Sequence, residues 1–299
     1  MERFLQYIFD GLSSGAIYAL LALGLVVVYR GSGHLNFAQG EMATFSTFIV
    51  WQLHDWGLPL VLATLFGMVI GFGLGAGIEV SLIRPVAKKS VGAVFVISIA
   101  LFLGLNSLSA SIWGALPPEQ LPNLFPDHPD DFVRIFGAVW RYKSIGVLVV
   151  ALALTGLLFL LFQRTRFGLA MRSVASNPES ARLVGIRTGT ILMASWGIAA
   201  AMGALSGTLV AGNNGQVTPG LMFGVFIYAS AAATLGGFDS PGGAVIAGLS
   251  IGVIENLVAG YQPDWIGQEL RLSVALVIIF VVLLFKPSGL FGSAKIERV

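Results

Sequence analysis

Few side chains in this sequence could do chemistry, and they fall in small groups. Gly11-Leu12-Ser13-Ser14-Gly15 has the G-x-S-x-G spacing of a serine nucleophile. That elbow needs a strand–turn–helix setting and a histidine base. Here the motif lies inside an apolar run suited to a helix, and His34, His54 and His128 all fall in expected loops. No G-x-x-x-x-G-K-[ST] occurs, so the chain carries no phosphate-cradling loop of its own. There is no H-E-x-x-H, no acid cluster with metal-ligand spacing and no Cys, which removes thiolate ligands and disulfides. Basic residues do not interleave with aromatics as on a nucleic-acid surface. Three features remain. Asn36, Gln39 and Glu41 stand at the mouth of an apolar run, behind Gly31-Ser32-Gly33. Glu79 and Glu255 lie toward the ends of apolar runs, and 163–187 is a basic stretch.

The basic stretch holds five arginines in 25 residues, with Glu179 its one acid. It cannot enter hydrocarbon and is expected to face water. Inside it, Asn177 suits an N-cap and Pro178 the first helical position, where a missing N–H costs nothing. Glu179 follows in the first turn, where the helix dipole favours a negative charge. Gly185 can end the helix in a left-handed conformation. These signals predict a short helix near 178–184, with Ala181 and Arg182 inside it. Rigid punctuation of this kind suits a part that receives a push from another protein; a plain capped connector would use the same signals.

The elements that position these residues are apolar. The chain is 299 residues long, 56% hydrophobic and only 11% charged, with mean hydropathy +0.85. Soluble domains average about 25% charged residues. A polytopic, all-α membrane protein with about 8–10 transmembrane or re-entrant helices is expected, since a span needs roughly 20 apolar residues. Apolar runs lie at about 5–29, 37–53, 58–80, 91–113, 145–162, 188–212, 221–236, 242–259 and 268–285. The shorter ones suit half-helices or re-entrant segments. The first lacks a basic n-region and is read as a retained span. If 163–187 is cytoplasmic and every run crosses, twelve of the 17 Lys and Arg face inward, including Lys88, Lys89, Lys295 and Arg298. That obeys the positive-inside rule and places the N-terminus outside and the C-terminus inside.

Smaller signals follow along the chain. Gly67, Gly71 and Gly75 recur every four residues, as do Gly248 and Gly252, which lets neighbouring helices approach closely. Glu79 and Arg84 close the third run, where pairing or snorkelling is expected. Segment 115–143, with Pro117, Pro118, Pro122, Pro126 and Pro129, is the longest outer loop, and proline there precludes a long helix. It is a plain loop or part of a landing surface for a soluble binding protein.

Four blocks, in order, resemble the branched-chain amino acid ABC transporter permeases of the LivH/LivM type. They are Tyr18-Ala19-Leu20 with Leu23-Gly24-Leu25; Asn36-Phe37-Ala38-Gln39-Gly40-Glu41; Thr165-Arg166-Phe167-Gly168 through Asn177-Pro178-Glu179 to Gly185-Ile186; and Gly236-Gly237 with Pro241-Gly242-Gly243, followed by Lys286-Pro287-Ser288-Gly289. Gln39 stands where that family usually has His, and Ser173 where it usually has Ala. The resemblance implies an ABC importer permease architecture over 1–299 as a single transmembrane domain, and an inverted repeat is expected within it. It implies that Asn177, Pro178, Glu179, Ala181, Arg182 and Gly185 form a coupling helix docked on an ATPase subunit. It places Tyr18, Asn36, Gln39 and Glu41 on the translocation pathway. Expected partners are a second permease subunit, copy or paralogue, two ATP-binding subunits that hold ATP and magnesium, an external solute-binding protein and the lipid of a bacterial inner membrane. No cofactor is expected in this chain, and no enzymatic activity. The implied cargo is a branched-chain or other apolar amino acid, with urea or short amides as the alternative. An ion-coupled secondary transporter is the competing mechanism; its candidate groups would be Glu41, Glu79 and Glu255.

Overall fold

A computed structural model describes residues 1–87, 90–114, 120–262, 271–286 and 288–292. The expectations placed on Lys88, Lys89, Pro117, Pro118, Pro287, Lys295 and Arg298 lie outside these residues. Each of the nine apolar runs contains a helix: α1 (Glu2–Ser32), α2 (Gln39–Asp55), α3 (Leu60–Ile78), α5 (Val91–Trp113), α6 (Tyr142–Arg164), α9 (Thr188–Asn214), α10 (Phe223–Gly236), α11 (Pro241–Tyr261) and α12 (Arg271–Phe285). A π-turn (Glu79–Ile83) and the one-turn α4 (Arg84–Ala87) extend α3, while α7 (Arg166–Ser176) and α8 (Pro178–Leu183) fill the basic stretch. Six helical stretches among the described residues are long and apolar enough to cross a membrane. Helices α2, α10 and α12, at 17, 14 and 15 residues, are short for that task. The protein is therefore an all-α, multi-pass membrane protein. Large apolar side chains left exposed on α3, α5 and α6, such as Phe66, Val69, Val96 and Phe159, suit contact with lipid.

The chain divides into two compact units. One comprises 27–124 and 157–223. Its centre is α9, packed on α3 and α2. The glycine spacing of α3 has the expected role on one face. A methyl at Gly71 would stand 3.2 Å from the carbonyl oxygen of Ala200, and one at Gly75 would strike that of Trp196. Gly73 and Gly77, on the other face, have open space around them. Phe48 stacks on Trp113 at 4.9 Å, and the Trp113 indole N–H donates to Gln52. At the end of α3 the Arg84 guanidinium grips Glu79 with Nε–Oε1 and Nη2–Oε2 distances of 3.1 and 2.5 Å. Its Nη2 also donates to the Gly189 carbonyl at 2.8 Å, tying the π-turn to the first turn of α9. Glu79 is buried, so the expected pairing is what neutralises it.

The other unit comprises 1–26, 125–156 and 224–299. Here α1 crosses α11 through glycines. A methyl at Gly15 would lie 2.8 Å from the Gly248 carbonyl oxygen, and one at Gly248 2.8 Å from the Ala19 Cα. The G-x-S-x-G spacing thus marks a helix crossing within α1. The expected irregular loop at 115–143 contains a hairpin, β1 (Phe132–Ile135) and β2 (Ala138–Arg141), paired antiparallel from Phe132 opposite Arg141 to Ile135 opposite Ala138. Its two-residue turn has φ of 50° at Phe136 and 87° at Gly137, as a type I′ turn requires. The hairpin is anchored by the Val139 N–H donating to Gln6 and by Trp140 stacked on Phe9 at 4.7 Å.

Candidate functional site: the basic stretch and the buried polar groups

The basic stretch is helical over more of its length than its punctuation predicts. Thr165 caps α7 by accepting from the Gly168 N–H at 3.1 Å. Gly168, Met171 and Val174, spaced by three, turn inward from α7, which packs on α8 and α9. The arginines at 164 and 166 stay in solvent. At Asn177 the backbone becomes extended, and its side-chain oxygen accepts from the N–H groups of Glu179 and Ser180 at 3.0 and 2.9 Å. Pro178 occupies the first helical position and Glu179 the first turn. The helix ends in a Schellman motif: Gly185 N–H donates to the Arg182 carbonyl and Ile186 N–H to the Ala181 carbonyl, each at 3.0 Å, with φ of 85° at Gly185. Ala181 is the buried anchor of this helix. Arg182 is exposed, and its Nε donates to Thr188 Oγ1 at 3.0 Å. Leu183 and Val184 are 88% and 76% exposed. The result is a helix of six residues, capped at both ends, seated by one alanine and presenting two apolar side chains outward.

A helix this short is marginal on propensity alone. Its order depends on the caps and on what it sits against. All six sequence-predicted positions, Asn177 through Gly185, belong to this one feature, with structural duties for Asn177, Pro178, Ala181 and Gly185.

The structure brings together Asn36, Gln39 and Glu41, in the unit that contains α9. All three are buried. Asn36 Oδ1 accepts from the Ala38 N–H at 3.0 Å, and its Nδ2 donates to Gln39 Oε1 at 3.1 Å. Gln39 Nε2 reaches the Ala199 carbonyl of α9 at 2.8 Å. These bonds fix the entry of α2 onto α9. Glu41 is different. Its Oε2 accepts from Asn106 Nδ2 of α5 at 3.2 Å, whereas its Oε1 is buried with no partner. A carboxylate oxygen left so is costly and invites an incoming donor. Thr44, one turn on, accepts from the Met222 N–H at 3.2 Å.

Tyr18 belongs to the unit that comprises 1–26, 125–156 and 224–299. It donates to Glu255 Oε2 at 2.6 Å and stacks on Tyr228 at 4.7 Å, the planes 12° apart. Tyr228 and Asn106 gave no sequence signal, because their partners are distant in the chain. Glu255 is visible as an ionisable group in an apolar run, but its tie to Tyr18 spans 237 positions.

The family model described as "Branched-chain amino acid transport system / permease component" matches residues 7–285. The chain is 30% identical to the high-affinity branched-chain amino acid transport system permease protein BraD of Pseudomonas aeruginosa, covering 99% of this chain and 98% of that protein. It is likewise 30% identical to the corresponding permease protein LivH of Escherichia coli K12, with the same coverage. Among solved structures, a chain of PsaBC from Streptococcus pneumoniae in complex with Fab superposes with TM-score 0.50 at 15% identity, over 95% of this chain and 92% of that one, a likeness of fold. With the family model spanning nearly all of its helices, the chain belongs to the permease component family of branched-chain amino acid transport systems.

Proposed function

We propose that this chain is the permease subunit of an ATP-driven importer whose cargo is a branched-chain or other apolar amino acid, as in the relatives' names. A second permease subunit, copy or paralogue, completes the pathway. Two ATP-binding subunits hold ATP and magnesium, and an external binding protein delivers the solute. In this reading 163–187 faces the cytoplasm of a bacterial inner membrane, with the N-terminus outside and the C-terminus inside. The observation that carries it is α8, doubly capped and offering Leu183 and Val184 to a partner. Closure of the ATP-binding subunits pushes α8. Because α8 runs through Gly185 directly into α9, and Arg84 ties α9 to the end of α3, the push enters the helix pair at the centre of that unit. No titratable group of this chain is needed to drive the cycle.

The test is uptake of labelled leucine into vesicles carrying the whole assembly, with and without ATP. Wild type is compared with Leu183→Glu/Val184→Glu, a change of two exposed residues. Uptake that requires ATP in wild type, and is lost in the variant along with ATPase co-purification, is the expected result. Uptake driven by a proton or sodium gradient without ATP refutes the mechanism. ATPase activity stimulated by urea or a short amide, but not by leucine, keeps the mechanism and replaces the cargo.

A further inference from the structure

Behind α8 lies a cavity of about 310 Å³, within the unit formed by 27–124 and 157–223. Its charged wall is Glu79, Arg84 and Arg182; Ile83, Leu192 and Trp196 contribute apolar surface. The charges do not balance. Glu79 is already held in a bidentate pair by Arg84, whose remaining bond goes to the Gly189 carbonyl. Arg182 donates only to the neutral Thr188 hydroxyl and has no carboxylate partner among the described residues. Arg182, an exposed residue at the edge of this small, largely apolar space, therefore lines it without a carboxylate counter-charge. A planar guanidinium is matched by a carboxylate, which takes two parallel N–H bonds. An ammonium group has no free acceptor of opposite charge there.

We infer that this cavity binds a small monocarboxylate with an apolar body, its carboxylate on Arg182 and its hydrocarbon against Ile83 and Leu192. Both an apolar amino acid and its deaminated acid carry that chemistry. The deaminated acid is the better fit, because no second anion meets an ammonium. The site is separate from Asn36, Gln39 and Glu41, and its occupant would join the coupling helix to the end of α3. The inference does not depend on which solute the permease carries.

The measurement is equilibrium dialysis of radiolabelled isovalerate with the complete assembly in phosphatidylcholine nanodiscs. Competitors are leucine, isoamylamine and inorganic phosphate. Two variants fill the cavity: Leu192→Trp from its wall and Ala87→Phe from its exposed mouth. Isovalerate is expected to bind saturably. Leucine should compete more weakly, isoamylamine and phosphate should not compete, and either filling variant should weaken binding at least about tenfold. Arg182→Ala should abolish it. Should Leu192→Trp not assemble, Ala87→Phe decides alone. Non-saturable binding, equal binding in an assembled filling variant, or equal competition by isoamylamine or phosphate overturns the site. ATP-driven leucine uptake in the same preparation reads the transport proposal separately, so loss of one leaves the other standing.

Discussion

Replacing Asn177 by alanine removes the acceptor for two N–H groups at the start of α8, at 3.0 and 2.9 Å. Loss of such a cap costs about 1 kcal/mol, within a range of roughly 0.5–2. In a long helix that loss would be absorbed. Here α8 has six residues, too few to be stable on propensity, and Ala181 is its one buried side chain. The cost therefore falls on the population of the docking conformation. If the ATP-binding subunits engage only the formed helix, they must supply the difference, and their Kd rises about fivefold. Gly185→Ala acts at the other end, where φ is 85°. The left-handed penalty of about 1–2 kcal/mol predicts a further factor of about 5–30. Both residues touch solvent, so the membrane fold should be unaffected. The assay is titration of ATP-binding subunits onto the permease in nanodiscs. Asn177→Asp and Asn177→Ser keep a capping oxygen and should restore wild-type affinity, which separates the cap from any direct contact of Asn177 with the partner. Unchanged affinity in the Asn177→Ala, Gly185→Ala double variant, or failure of Asp and Ser to rescue, refutes the argument that α8 must be preformed.

Other predictions test the scaffold. Gly75→Ala puts a methyl into the Trp196 carbonyl, an overpacking that costs about 1–3 kcal/mol, whereas Gly73→Ala meets open space and should be neutral or slightly stabilising. Thermal aggregation of the two variants in matched detergent distinguishes them; equal midpoints would sink the α3–α9 packing account. Arg84→Leu leaves the buried Glu79 without its partner and should destabilise by about 3 kcal/mol, with the double change Glu79→Leu, Arg84→Leu recovering much of that loss. Denaturation monitored by tryptophan fluorescence gives the comparison, and no recovery in the double variant would argue against the pair as the cause. Phe136 holds φ of 50° on the hairpin turn and is 84% exposed. Phe136→Asn should therefore raise the melting temperature of the unit that contains it, by an amount equivalent to about 1 kcal/mol. A fall in that temperature would mean the phenylalanine makes a contact that outweighs its backbone strain.

How much the sequence disclosed depended on the range of the interaction concerned. The nine apolar runs, the caps of α8 and the Glu79–Arg84 pair are written within a few residues of one another, and each was legible. Helix α7 was hidden for a different reason. Its inward residues Gly168, Met171 and Val174 are spaced by three, but exposed arginines before and around them outweigh that pattern in any hydropathy reading. The hairpin escaped because its strands are four residues each, within a proline-rich stretch, and its turn uses Phe where Asn is the usual signal. The polar groups were visible as residues but not as a site. Glu41 meets Asn106, Gln39 meets Ala199 and Tyr18 meets Glu255, across separations of 65, 160 and 237 positions. No periodicity records such pairings, and the packing that makes them is what sorts the roles. Asn36 and Gln39 spend their bonds holding α2 on α9, so their substitution should act through stability. Glu41 alone keeps a buried oxygen without a donor, so of the three it is the residue whose carboxylate has capacity left for a passing solute. Its replacement by Gln, which preserves shape and the Asn106 bond to the remaining oxygen, should change solute handling more than it changes folding. The two readouts are leucine uptake and melting temperature, and a Glu41→Gln variant that loses stability but transports normally once folded would return Glu41 to the scaffold with its neighbours.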